Sequence, residues 1–472
     1  MILTIARKEW LELTRDGRFR GAAAFVFLLS ALGLIMGALH QGAVRAERED
    51  ARRLTRAQWL DQGEKNPHSA AHYGVWAFKP EPALAAFDPG VEPYTGVAVY
   101  LEAHKQNPSR YRPAADATAA ARLGELSGAG VLQLLAPLLV ILLTFSAFTS
   151  EREAGTLRLL LATGVERRRL VWGKALGVGL ALALLLVPLL GVAVGVLLSV
   201  PAAREPDTLV RGAGLVLGYG FYLGGFVFLG LAVSAWVRTS RLALLVLLAF
   251  WMVNGLLAPR LASEVARAWA PVPTAETYAR RVAEDSEKGI DGHNPADQRV
   301  AALEERVLAR YGVKSKDQLP VNFDGLALQE GEEYSNTVND RHQGDLWAAW
   351  QRQESVHRAF APLSPLLALR ALSSALAGTD LAGHVRFSRE AETYRRDLVR
   401  RMNLAVATNS RPGDWDYKAG AALWREVPEF QPVSVSWREL LWAQAPALAL
   451  LAGWWLLTIM LALRAGARLS PV

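Results

Sequence analysis

Thr149 to Lys174 reads TSEREAGTLRLLLATGVERRRLVWGK, a polar stretch with an apolar run on either side, Ser127 to Phe148 before it and Leu176 to Leu198 after it. Each run has about the 20 residues that a helix needs to cross a bilayer. The stretch is therefore a loop between two membrane spans. It holds Arg152, Arg158, Arg167, Arg168, Arg169 and Lys174, and short loops rich in Lys and Arg stay on the cytoplasmic side. Glu151 and Glu153 stand where the first span ends, and Gly173-Lys174 stands where the second begins.

Outward from this loop, the apolar residues of the 472-residue chain gather into six runs separated by ordinary polar sequence. The pattern predicts a mainly α, polytopic membrane protein with six transmembrane helices, an N-terminal amphipathic helix and a mostly helical extracytoplasmic domain built from two insertions. Residues 1–20 form the amphipathic helix, with Leu3, Ala6, Trp10 and Leu13 at helical spacing. The first span covers 21–40, the first insertion 41–126, the second span 127–148 and the cytoplasmic loop 149–175. Spans three to five lie within 176–258, the second insertion is 259–437, the sixth span is 438–463, and 464–472 is a cytoplasmic tail. Both termini and every strongly basic short loop then share one side. The net charge of +7 collects near span ends and is a topology signal, with no interleaved basic and aromatic patch for nucleic acid. The absence of cysteine excludes disulfides, thiolate metal sites and cysteine nucleophiles.

In the first insertion AERED, ARRLTRAQWLDQ and DATAAARLGEL are expected to be helical, and NPHSAAHYGVWAFKPEPALAAFDPGVEPYTG loop-rich because Pro, Gly and Asn punctuate it. The second insertion shows helical periodicity over PTAETYARRVAEDSEK, ADQRVAALEERVLARYG, HQGDLWAAWQRQESVHRAF and FSREAETYRRDLVRRMN, and is expected to pack against the first. Ala359 to Gly378 is apolar, but Pro362, Pro365 and Arg370 interrupt it, and a full crossing would put Arg464 and Arg468 outside. An interfacial or buried core helix is expected there. Thr379 to Phe387, with its TD and HVRF, reads either as a site or as a helix start, and Asp380 as an N-cap is the simpler reading.

No acidic or basic residue lies at the centre of a span, which argues against ion-coupled transport. Gly173-Lys174 lacks the upstream glycine and the following Ser or Thr of a P-loop, so nucleotide-driven work needs another subunit. Glycines recur four apart at Gly33/Gly37, Gly173/Gly177, Gly191/Gly195, Gly214/Gly218 and Gly220/Gly224, where helices approach closely within the chain or across a dimer. Gln133, Tyr219, Tyr222 and Asn254 are polar groups within the membrane, lining a pathway or hydrogen-bonding between helices. His68 and His72 stand four apart but supply at most two ligands, and other histidines, His104 among them, are scattered singly. No G-x-S-x-G is present. The expectation is no catalytic, cofactor-binding or metal-binding residue in this chain, and no enzyme activity of its own.

IARKEWLELTRD at the N-terminus, ERE-x-GTLRLLLATGVERRRLVWGK after the second span, and the six-span order resemble a type-2 ABC transporter permease. NPHSAAHYGVWAFKP, FDPGVEPYTGV, LEAHKQN, AGTDLAGHVRFSREAETYRRDL and LWREVPEF resemble a subfamily with large periplasmic insertions. The resemblance implies an elbow helix at 1–20 and a coupling loop at 149–175 that grip a separate ABC ATPase subunit, which would bind the ATP and Mg. ATPase coupling would fall to Lys8, Glu9, Glu151, Arg152, Glu153, Gly155, Thr156, Gly173 and Lys174. Arg152, Glu153 and Arg158 either pair with the ATPase or mark the membrane boundary. It further implies a second permease chain, the same or related, surrounding membrane lipid, a bacterial inner-membrane location and ATP-driven export. A mechanical or signalling relay acting on an envelope partner is the alternative; a tethered hydrolase has no assembled motif behind it.

Overall fold

The structure, a computed structural model, describes all residues except 117–125, 201–204, 291–295, 415 and 471–472. Helix α1 (Ile2–Arg15) is amphipathic and ends at Asp16, whose extended backbone turns the chain and whose carboxylate accepts from Arg18 N at 2.8 Å. Helix α2 (Gly17–Leu60) then runs unbroken for 44 residues. The first span was expected over 21–40, and the helix that carries it continues beyond that point to Leu60, because residues 43–60 are rich in Ala and Arg and contain no Gly or Pro.

Helix α3 (Pro67–Tyr73) and strands β1 (Val75–Phe78), β2 (Ala98–Glu102) and β3 (Lys105–Gln106) follow. The strands form an antiparallel sheet with Val75 opposite Leu101 and Glu102 opposite Lys105. This sheet lies in segments expected to be loop or left unassigned. VWAF and AVYLE are each too short to declare a period of two. The helix expected over DATAAARLGEL falls almost wholly outside the described residues.

Ser127 caps α4 (Gly128–Thr144) by accepting from Gly130 N. Residues 149–174 fold into α5 (Thr149–Glu153), α6 (Thr156–Ala162) and the first turns of α7 (Arg167–Leu198). Helix α8 (Pro206–Trp236) returns, and α9 (Ser240–Met252) passes through a π-helical turn, Val253–Leu257, into α10 (Ala258–Trp269). Among the described residues, six helical segments are long and apolar enough to cross a membrane. The chain is a multi-pass, mainly helical membrane protein. The sixth crossing is α18 (Ala445–Ala467); residues 437–443 form a separate short helix, α17, because Pro446 starts a new helix after Gln444. Before them in the chain come α11 (Ala275–Lys288), α12 (Ala296–Tyr311), α13 (Phe323–Phe360), α14 (Pro365–Ala377), α15 (Leu381–Asn409) and α16 (Ala421–Glu426).

The two insertions share a core. Trp59, Val75, Val99 and Leu101 from the first pack with Phe387, Leu398, Met402 and Trp424 from the second. Trp59 Nε1 donates to Trp424 O at 2.9 Å, and Trp424 Nε1 donates to Gly63 O at 3.0 Å, so both indoles satisfy their polar edge while burying their rings. Asp380 caps α15 through Gly383 N. Helix α14, at 13 residues, is too short to cross a bilayer. Its buried Leu366, Leu369, Leu372 and Leu376 instead seat it against the bundle, among α4, α8 and α18. Opposite the domain, the bundle end gathers α1, the 149–174 stretch and the C-terminal tail, with Arg167 Nε donating to Leu469 O at 3.1 Å.

Candidate functional site

At that end Lys174 is almost wholly buried, 2% exposed, with its Nζ 2.5 Å from Glu9 Oε1 and 2.9 Å from Glu151 Oε1. One cation thus holds together α1, α5 and α7. Lys8 Nζ adds contacts of 3.3 Å to Glu151, 3.4 Å to Glu9 and 3.1 Å to Glu12. Burial works against the Lys8 charge, but the carboxylates of Glu9, Glu12 and Glu151 outweigh it and hold Lys8 above the ordinary lysine range. The close approach is made possible by Gly173 and Gly177. A Cβ on Gly173 would stand 2.6 Å from Ile5 Cβ, and one on Gly177 would stand 2.6 Å from Glu9 Cβ.

The neighbouring residues clasp the turn between α8 and α9. Arg152 donates to Val237 O at 2.6 Å and Ala235 O at 3.0 Å, satisfying carbonyls that the end of α8 leaves open. Glu153 accepts from Ser240 N at 2.8 Å and Ser240 Oγ at 2.9 Å, which place its charge at the start of α9 and draw its carboxyl below the usual range. Ser234 Oγ accepts from Phe148 N at 3.0 Å, and Thr149 Oγ1 lies 2.9 Å from Ser240 Oγ. Gly155 has φ +72°, a left-handed conformation that starts α6, and Thr156 Oγ1 donates to Glu151 O at 3.2 Å. Beyond it α6 exposes Arg158 and Leu159. All nine residues expected to couple therefore lie in one contiguous region.

Gln133, Tyr219, Tyr222 and Asn254 form a second, buried network, and they pair chiefly with one another and with α14. Gln133 Nε2 donates to Tyr219 OH at 3.0 Å, Tyr222 OH to Gln133 O at 3.0 Å, and Asn254 Nδ2 to Tyr222 OH at 3.0 Å. Asn254, in the π turn, accepts from Leu366 N and Ser364 Oγ, each at 3.2 Å. Arg370 Nε donates to Gln133 Oε1 at 3.2 Å, while Ser373 Oγ lies 3.2 Å from Tyr219 OH and donates to Asp88 Oδ2 at 2.5 Å. The geometry is that of interhelical hydrogen bonding. Sequence reading missed Asp88, Ser364 and Ser373, which belong to the insertions. Arg370 inside LLALRALSSALA was the available signal, since a charge in such a run needs a partner.

A third cluster sits in the domain that the two insertions share. His104, read from sequence as solitary, is brought beside His68 and His72 by the β2–β3 hairpin. His72 Nε2 and His104 Nε2 lie 3.2 Å and 3.3 Å from His68 Nε2. His104 has φ +65°, a left-handed conformation unusual for a residue with a Cβ. Glu332 Oε1 holds it there, taking both its backbone N–H and its Nδ1 at 2.6 Å. Glu332 in turn pairs with Arg395 at 3.1 Å, and although burial opposes its charge, His104 and Arg395 keep the carboxyl below the usual range. His68 Nδ1 meets Asn403 Oδ1 at 2.9 Å. Burial and the neighbouring imidazoles lower the proton affinity of His68 and His72.

Comparison with known proteins bears on part of the chain. Residues 275–433, most of the second insertion, match a family described as a domain of unknown function, DUF3526. Over 107 residues the chain is 38% identical to the probable ABC transporter permease protein NosY of Pseudomonas aeruginosa, a match that covers 23% of this chain and 38% of that protein. The chain thus spans well under half the length of this curated relative. The comparisons and the six apolar helices together describe a multi-pass membrane protein with partial similarity to an ABC transporter permease.

Proposed function

We propose that this chain is the membrane-spanning permease subunit of an ATP-driven ABC exporter of the bacterial inner membrane, coupled through its α1 end to a separate ATPase. The observation that carries this reading is the burial of Lys174 between Glu9 and Glu151, which makes α1 and the 149–174 stretch one handle. The exposed Arg158 and Leu159 on α6 offer that handle an outer surface for a partner. The partner supplies ATP and Mg; this chain binds neither and positions the load. A second permease chain, identical or related, completes the transporter. The α1 end is cytoplasmic by its basic loops, which leaves the shared domain outside the cytoplasm. Arg152, Arg238, Arg464 and Arg468, lining one cavity with Trp236 and Leu461, suit acidic lipid headgroups at that membrane face.

Reconstitution of the chain with the ATPase from an adjacent reading frame tests the reading. Substrate-independent assembly and stimulated ATP hydrolysis are expected, and substitution of Glu153 and Gly155 should lower both. Unchanged coupling and assembly in those variants would sink the assignment.

One feature favours a second reading, a mechanical relay to an envelope partner. Helix α2 passes without a break from the α1 end to Trp59 in the outer core. A substrate-wide cavity between two permease chains in any nucleotide state would favour export. Closed spans in every state would favour the relay.

A further inference from the structure

Among the described residues, the cluster of His68, His72 and His104 poses a problem of hydrogen placement. The Glu332 carboxylate, charged and paired with Arg395, can only accept, so the hydrogen of a neutral His104 resides on Nδ1 and its Nε2 is bare. The other histidine is fixed by a longer chain that also ends on a carboxylate. Glu333 Oε1 accepts from Gln329 Nε2 at 3.1 Å, Gln329 Oε1 from Asn403 Nδ2 at 3.2 Å, and Asn403 Oδ1 therefore takes the hydrogen of His68 Nδ1. His68 Nε2 is bare as well.

Two lone pairs thus face each other across 3.3 Å. His72 has one N–H to give and satisfies only one of them. The arrangement calls for a cation between the nitrogens. A tetrahedral zinc ion, with bonds of about 2.0–2.1 Å to imidazole nitrogen, spaces its ligands roughly 3.3–3.4 Å apart. The observed separations of 3.2 Å and 3.3 Å fit that spacing, and ligand atoms from all three side chains lie within 4.8 Å of one another. Orientation of a ligating imidazole by a carboxylate or amide on its other nitrogen is the usual support of such sites.

We infer that His68, His72 and His104 form a three-imidazole site for a divalent transition-metal ion of the zinc class. The ligands come from the first insertion, and the groups that aim them, Asn403 and Glu332, come from the second. The bound ion therefore sits at the seam of the two and ties them. His72 and His104 are exposed, so the fourth coordination position faces solvent, open to water or an anionic group.

The test uses the full chain in detergent, purified with a histidine-free tag and stripped with a chelator, then titrated with zinc alone by calorimetry. One equivalent per chain is expected, with X-ray absorption showing three imidazoles in the zinc shell and a raised melting temperature. Replacing a group that merely orients a ligand costs about 10–100-fold in affinity, so His72→Ala and His104→Ala should each cost at least about tenfold. His72 is exposed, and the metal-free His72→Ala chain should melt like metal-free wild type, which separates ligand loss from misfolding. Binding that is not saturable at one equivalent, or that persists undiminished in both variants, overturns the site and leaves a shared proton as the cation of the cluster.

Discussion

Lys174 Nζ and Glu9 Oε1 stand 2.5 Å apart although 165 residues separate them, and the lysine is 2% exposed. The pair joins the first helix to the start of the third span. Breaking a buried pair by removing one partner leaves the other charge uncompensated, at a cost of roughly 3–5 kcal/mol. Lys174→Met should therefore lower the melting temperature in detergent, and Glu9→Gln should do so less because Glu151 still pairs with Lys174. Equal stability of Lys174→Met and wild type would mean that this ion pair does not hold α1 to α7.

Gly177 tests the same contact by shape. A valine there would meet Glu9 Cβ and the Ala6 carbonyl, and α1 would have to lift from α7. The chain contains no cysteine, so a Lys8→Cys, Glu151→Cys pair can report the distance without background. Cross-linking of the two thiols by a short bifunctional reagent, which spans the length of the lost side chains, should be efficient alone and suppressed when Gly177→Val is added.

Arg152→Ala would free the carbonyls of Ala235 and Val237, and Glu153→Ala would remove the acceptor of Ser240. Hydrogen exchange across 234–241 should quicken in each variant while exchange in the domain shared by the two insertions is unchanged. If the turn exchanges at the wild-type rate, the clasp around it is not what orders it.

Trp59 and Trp424 tie the two insertions through ring contact, centroids 5.9 Å apart, and a hydrogen bond. Trp59→Ala should destabilise the domain by about 3–5 kcal/mol and expose 41–116 and 275–433 to protease together. Cleavage confined to one insertion would show that they fold separately.

His384 supplies a pH dependence. Its burial, with Lys79 and Arg112 nearby, lowers its pKa to about 3 from the ordinary 6.5. The unfolded chain takes a proton below pH 6.5 that the folded chain refuses until about pH 3, so this residue makes stability fall as pH drops through that window. His384→Leu should flatten the fall in melting temperature between pH 6.5 and 4.5. An unaltered slope would mean that other groups set it.

The spans were legible because a bilayer demands a length and a composition that Ser127 to Phe148 or Leu176 to Leu198 displays locally. Lys8, Glu9, Glu151 and Lys174 were singled out through the resemblance to a permease; that they pair with one another is visible only in the fold, which brings α1 against the start of α7. The sheet was not legible, since Val75–Phe78 depends on pairing with a strand 20 residues away. Nor was the place of His104, which depends on Glu332, more than 200 residues later, holding a left-handed turn. The network partners Asp88 and Ser373 were hidden similarly, in segments read as outer loop and outer helix.

Helix α2 also has a kinematic meaning. Its 44 residues amount to about 66 Å of rod. With Asp16 as the pivot, a swing of about 10° at the α1 end displaces Trp59 by roughly 11 Å, from the rise per residue alone. A small angular step at the α1 end would thereby become a stroke as wide as a helix in the domain that the two insertions share.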